Sequence, residues 1–141
     1  MVTNDTLSRA VVVHIVEADT AVRDALSRLI MSAYFEPRTY ASTEQFLCEV
    51  RQEPRACVLL DITNRHQAGQ QVPAILDEKG IDLPIIAVSA YDDDATRERA
   101  RELGARIFLR KPVDDQALID AIEWVTDRRK WVKKNVRTCF G

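Results

Sequence analysis

Short, nearly continuous apolar runs alternate along this chain with stretches in which apolar residues recur every three or four positions. The first run, Ala10–Val16, is rich in β-branched residues and predicts a strand buried on both faces. From about Thr20, Val22, Ala25, Leu26, Leu29 and Ile30 define one apolar helix face. Glu36–Tyr40 is mixed in polarity and contains Pro37, which suits a strand at a sheet edge. Ser42 and Gln45, three residues apart, read as a capping box opening a helix that turns Phe46, Leu47 and Val50 inward. A third strand, Ala56–Leu60, ends at Asp61. A third helix falls within about Ala68–Lys79, with Pro73 in its first turn and Gly80 as its stop. Leu83–Ser89 predicts strand four, about Asp93–Leu103 helix four, and Arg106–Leu109 strand five. After Pro112, Ala117, Leu118, Ala121, Ile122 and Val125 mark the inward face of helix five.

Five strands alternating with five helices imply α/β architecture: a doubly wound five-stranded parallel sheet with helices on both faces. The strand order 2-1-3-4-5, called flavodoxin-like, is the natural arrangement. The expected organisation is a short N-terminal tail at 1–9, one domain at 10–127 and a basic extension at 128–141.

In such sheets ligands bind beyond the carboxyl ends of the strands. Glu17, Asp61, Ser89 and Lys111 each stand at such an end. Singly, each has an ordinary explanation: a turn or cap residue for Asp61, Ser89 and Glu17, a solvated amine for Lys111. Four at equivalent edges of one sheet point to a shared site for a small anion.

Composition narrows the field. The 141 residues carry a formal net charge of −2, with no global drive toward nucleic acid or membrane. No stretch approaches the length of a membrane-spanning helix and the first ten residues lack an apolar signal core, so a cytoplasmic protein is expected. The three cysteines, Cys48, Cys57 and Cys139, match neither a disulfide framework nor a zinc site. No Ser-His-Asp pattern announces an independent enzyme. An FMN-binding protein of the same topology needs a Ser/Thr/Gly-rich phosphate loop after strand one, where this chain has the acidic Glu17-Ala18-Asp19-Thr20.

Residues 16–23 (Val-Glu-Ala-Asp-Thr-Ala-Val-Arg), 59–61 (Leu-Leu-Asp), 87–90 (Ala-Val-Ser-Ala) and 103–112 (Leu-Gly-Ala-Arg-Ile-Phe-Leu-Arg-Lys-Pro) together resemble the receiver domains of bacterial two-component response regulators. Residues 40–47 and 21–23 resemble the nitrogen-fixation-regulator type most. The resemblance covers about residues 10 to 126. It implies a phosphorelay in which Asp61 takes a phosphoryl group from a sensor histidine kinase or phosphotransfer protein, with no enzyme activity beyond self-phosphorylation and self-dephosphorylation. Lys111 and Ser89 would contact phosphoryl oxygens. Mg²⁺ would be held by Glu17, Asp61 and the Thr63 backbone carbonyl. Phe108 matches the family's switch aromatic, although a static core aromatic fits the residue equally. Lys111-Pro112 matches a bond that is cis in the family.

Two departures stand out. Ala18 replaces the carboxylate that touches the metal in the family, and Asp19 is the residue nearest to compensate. The loop 62–69 lacks the usual Met-Pro and carries Arg65 and His66, read as solvated or as a partial cationic substitute for the metal. The alternative function is therefore a phosphorylation-independent pseudo-receiver, an interaction module with weakened or absent Mg²⁺. The family's partner face, helix four to helix five, carries Arg97, Arg99, Arg101, Arg106 and Arg110, a solvated face or a surface for an acidic partner or a homodimer. The basic tail, with Trp131 among its cations, lacks a recognised nucleic-acid module, and Val125, Val132 and Val136 with Trp131 offer a potential dimer seam. No helix-turn-helix follows in the remaining residues, which fits either a single-domain regulator or part of a longer chain.

Overall fold

The computed structural model describes residues 10–63 and 71–127. Arg65, His66 and Gly69, the tail residues Trp131, Val132 and Val136, and the tails 1–9 and 128–141 as a whole lie outside the described residues.

The described chain alternates strand and helix: β1 (Val12–Val16), α1 (Thr20–Ser32), β2 (Glu36–Tyr40), α2 (Thr43–Glu49), β3 (Ala56–Asp61), α3 (Val72–Glu78), β4 (Ile85–Ser89), α4 (Asp94–Glu102), β5 (Ile107–Arg110) and α5 (Asp115–Thr126). All neighbouring strands pair in parallel, in the order β2-β1-β3-β4-β5. The doubly wound sheet expected from the alternation is the one observed. β1 and β4 are buried along their whole length because helices cover both faces. β2 is partly exposed, as an edge strand with Pro37 should be.

The period-two alternation of strand side chains splits the core in two. Val13, Ile15, Leu59, Ile86 and Val88 pack with Ile30 of α1 and with Leu118, Ile122 and Val125 of α5. Val12, Val58, Leu60 and Ala87 face Phe46, Leu76 and Ala100 from α2, α3 and α4. His14 shares this second face, among the rings of Tyr40 and Phe46.

Asp19, Ser42, Asp93 and Asp114 cap α1, α2, α4 and α5, each accepting a backbone N–H three residues on. Such caps are worth about 1 kcal/mol apiece. Asp93 is thus the cap of helix four rather than its first residue. In α2 the return bond differs from a capping box: Gln45 Oε1 accepts from Ala41, one residue before the cap. α1, α3 and α4 end in the same six-residue hydrogen-bonded turn, with Tyr34, Gly80 and Gly104 at positive φ. Tyr34 occupies this position although it carries a Cβ.

Two helix faces differ from expectation. Ala117 is exposed, since α5 buries Leu118, Ala121, Ile122 and Val125 and leaves Ala117 off that stripe. Val22 and Ala25 are exposed as well. Both line a cavity of about 700 Å³ between α1 and α5. Strand five runs one residue later than expected, because Arg110 pairs with Ser89.

Candidate functional site

Strand parity sets the site. Glu17, Asp61 and Lys111 continue the odd-numbered positions of β1, β3 and β5 and emerge on the α1/α5 face. Ser89 follows Ala87 onto the opposite face, with Phe108 in register beside Ala87.

Lys111 Nζ is 2.6 Å from Asp61 Oδ2 and 3.3 Å from Glu17 Oε1. The remaining oxygens are also engaged. Asp61 Oδ1 accepts the Thr63 N–H at 2.8 Å, and Glu17 Oε2 accepts the Asp19 N–H at 3.1 Å. Glu17 is buried, whereas Asp61 and Lys111 are partly buried, with 19% and 30% of their side-chain surface open to solvent. The cavity between α1 and α5 opens onto these three side chains.

The charges respond to this packing. Burial pushes the Glu17 carboxyl above its ordinary value, against the opposing pull of the Asp19 N–H and of Lys111. Burial acts on Asp61 in the same direction, but the Lys111 ammonium and the Thr63 bonds outweigh it and hold its carboxyl below the usual range. Burial lowers Lys111 in turn, yet its two carboxylate partners leave it raised overall. Asp61 is therefore an anion at neutral pH beside a fixed cation, the state a carboxylate nucleophile requires.

Ser89 does not join this cluster through its hydroxyl. Its Oγ accepts the Tyr91 N–H at 3.0 Å, while its carbonyl accepts the Lys111 N–H at 2.8 Å. Three of the four strand-end groups are thus in direct contact, and the fourth is tied to the loop that follows it. The Lys111–Pro112 bond is cis, as the resemblance implied.

Asp19, the residue next to Ala18, caps the following helix. It is exposed, and its Oδ1 is spent on capping α1 through the Val22 N–H. Among the described residues, no group of three or more His, Cys, Asp or Glu side chains is placed to hold a metal. The acids available are Glu17 and Asp61. Two carboxylates still suit Mg²⁺, which keeps several waters and takes substrate phosphate oxygens alongside one or two protein carboxylates.

Two contributors were missed in the sequence. Thr63 was singled out only for its carbonyl, yet its N–H holds Asp61 and its hydroxyl accepts the Ala90 N–H at 3.0 Å, joining the loops after β3 and β4. Arg23 donates to the carbonyls of Glu17 at 2.8 Å and Ala18 at 3.3 Å, pinning the loop after β1. Arg23 lies one turn into a helix, within reach of that loop, and this was the available signal.

Similarity to known proteins agrees with this geometry. The family profile of the response regulator receiver domain matches residues 13–123. The transcriptional regulatory protein TdiR of Thauera aromatica is 37% identical over 110 residues, covering 78% of this chain and 48% of TdiR. The response regulator protein TodT of Pseudomonas putida is 33% identical over 114 residues, covering 81% of this chain and 50% of TodT. The chain thus spans about half the length of these curated relatives. Among solved structures, the response regulator StyR superposes with a TM-score of 0.73 at 32% identity, covering 89% of this chain and 65% of StyR. FixJ-N superposes at 0.72 with 26% identity, covering 84% of this chain and 95% of FixJ-N. No described helix is long and apolar enough to cross a membrane. Sheet order, strand-end residues and relatives converge, and the chain belongs to the response regulator receiver domain family of two-component signalling.

Proposed function

We propose that this chain accepts a phosphoryl group on Asp61 from the phosphohistidine of a sensor histidine kinase or phosphotransfer protein. The observation that carries the reading is the partly exposed Asp61 carboxylate 2.6 Å from Lys111 Nζ at the sheet edge. A carboxylate oxygen of Asp61 attacks phosphorus as the bond to the donor's imidazole nitrogen breaks, and that nitrogen keeps the electron pair. Phosphoryl transfer asks the protein mainly for positioning and charge stabilisation. The Thr63 N–H orients the carboxylate, and Lys111 passes from Asp61 to a phosphoryl oxygen as the acyl phosphate forms. Ser89, freed from the Tyr91 N–H, donates its hydroxyl to a second oxygen. Phe108, on the same sheet face as Ser89, follows that movement and alters the α4-β5-α5 surface that partners read.

Glu17, Asp61 and the Thr63 carbonyl would hold Mg²⁺. When bound, it neutralises negative charge on the transferring group. The phosphorylation-independent alternative rests on Ala18 alone and gains no support from the Asp61–Lys111 geometry or from the relatives. Ala18 bears on metal affinity rather than on the acceptor.

Incubation with acetyl phosphate and Mg²⁺, followed by intact mass, tests the reading. One phosphoryl group should add to the native chain and none to Asp61→Asn. A native chain whose mass does not change under either donor, acetyl phosphate or a phosphorylated histidine kinase, would overturn it.

A further inference from the structure

The switch aromatic has a restraint of its own. Arg97, in the first turns of α4, places its guanidinium carbon 5.1 Å from the centroid of the Phe108 ring. The same guanidinium is tied by Nε to Asp92 Oδ1 at 2.6 Å. Asp92 lies in the loop that begins at Ser89, whose hydroxyl accepts from Tyr91. One cation therefore joins the face of Phe108 to the segment that follows Ser89. The ring is half-buried and packs against the α2–α4 side of the core, and its strand partner Ala87 is too small to hold it there by bulk.

A guanidinium over an aromatic face fixes which way that face points, because the attraction is lost when the ring turns. The carboxylate of Asp92 fixes the guanidinium in turn. Any shift of residues 89–93 toward a phosphoryl group displaces Asp92, and with it the cation.

We propose that Arg97 is a positioning residue that latches Phe108 in its unphosphorylated setting and lets go when the loop after β4 moves. This rests on the reading of Asp61 as the phosphoryl acceptor. A contact made only in one of two states biases their equilibrium by its own strength. Removing it should therefore make the phosphorylated setting easier to reach, by about two- to fivefold for a half-exposed cation–π contact.

The test uses the full chain labelled with ¹³C in phenylalanine, with beryllofluoride and Mg²⁺ as the phosphoryl mimic. In Arg97→Gln without ligand, the Phe108 ring resonances should move toward their position in the beryllofluoride-bound native protein. The half-saturating beryllofluoride concentration should fall by about two- to fivefold, and Arg97→Lys should lie between the native protein and Arg97→Gln. A purely stabilising role would lower the Tm and leave half-saturation unchanged. Unmoved Phe108 resonances in free Arg97→Gln, or equal or weaker beryllofluoride binding, would overturn the latch. If native protein and Asp61→Asn respond alike to beryllofluoride, the acceptor reading fails, and the resonances of the free variant still decide whether Arg97 holds the ring.

Discussion

The Lys111 ammonium lies 2.6 Å from the Asp61 carboxylate although the two residues are fifty positions apart. Each offsets part of the other's burial. Without Lys111, Asp61 and the buried Glu17 would face one another with like charge, and Asp61 would lose the partner that outweighs its desolvation. Lys111→Met should raise the apparent pKa of Asp61 and slow phosphoryl uptake by about a hundredfold or more, the usual cost of losing one electrostatic stabiliser. Intact-mass kinetics with acetyl phosphate measure the rate. An unchanged rate would remove Lys111 from the mechanism.

Ala18 leaves the acidic pair one carboxylate short. Ala18→Asp should raise Mg²⁺ affinity on the order of tenfold or more, since even residues behind the ligands change affinity that much. The same change sets a third anion beside Glu17 and Asp61 with one lysine to balance them. The variant's Tm should therefore drop in EDTA and recover with Mg²⁺. Calorimetric titration and thermal melts follow both effects, and equal affinity in the two proteins would make Ala18 irrelevant to the metal.

His14 is fully buried, bonded through Nδ1 to the Tyr40 hydroxyl at 2.9 Å, and its Nε2 has no partner. Burial, with Arg38 adding to it, lowers its pKa from 6.5 to about 4. Between those values the unfolded chain holds a proton that the native one does not, so stability falls as pH drops through that window. Below about pH 4 both states are protonated and the loss levels off, at roughly 3 kcal/mol from this one group. Urea unfolding from pH 7.5 to 4 should show that slope in the native protein and not in His14→Gln. Parallel curves would show that His14 titrates alike in both states.

Tyr34 adopts φ of 68° at the end of α1, and the residue is 89% exposed. A Cβ in this conformation costs about 1–2 kcal/mol, and an added glycine costs about 0.5–1 kcal/mol of extra unfolded-state freedom. Tyr34→Gly should thus raise stability by about 0.5–1 kcal/mol, visible as a higher urea midpoint at unchanged m-value. A lower midpoint would mean the ring makes contacts that outweigh the strain.

Much of this protein was legible in one dimension. The apolar runs of β1, β3 and β4 announce strands covered on both sides, because a strand buried on two faces is built mostly from apolar residues, with His14 and Ser89 as the buried polar exceptions. Periodic apolar residues mark α1 and α5 for a related local reason. Strand-to-helix alternation then leaves few topologies, and the ends of the strands carry Glu17, Asp61, Ser89 and Lys111 to one edge.

What those residues do to one another was decided in three dimensions. Side-chain parity sends Glu17, Asp61 and Lys111 to one face and Ser89 to the other, and no local pattern states which strands will lie side by side. Asp19 is adjacent to Ala18 in the chain, and one of its carboxylate oxygens caps α1. Thr63 meets Ala90, and Arg97 meets the Phe108 ring, only because separate segments come together above the sheet. Local propensity is written residue by residue, whereas a hydrogen bond or a stacked cation needs two partners that folding alone brings within a few ångströms.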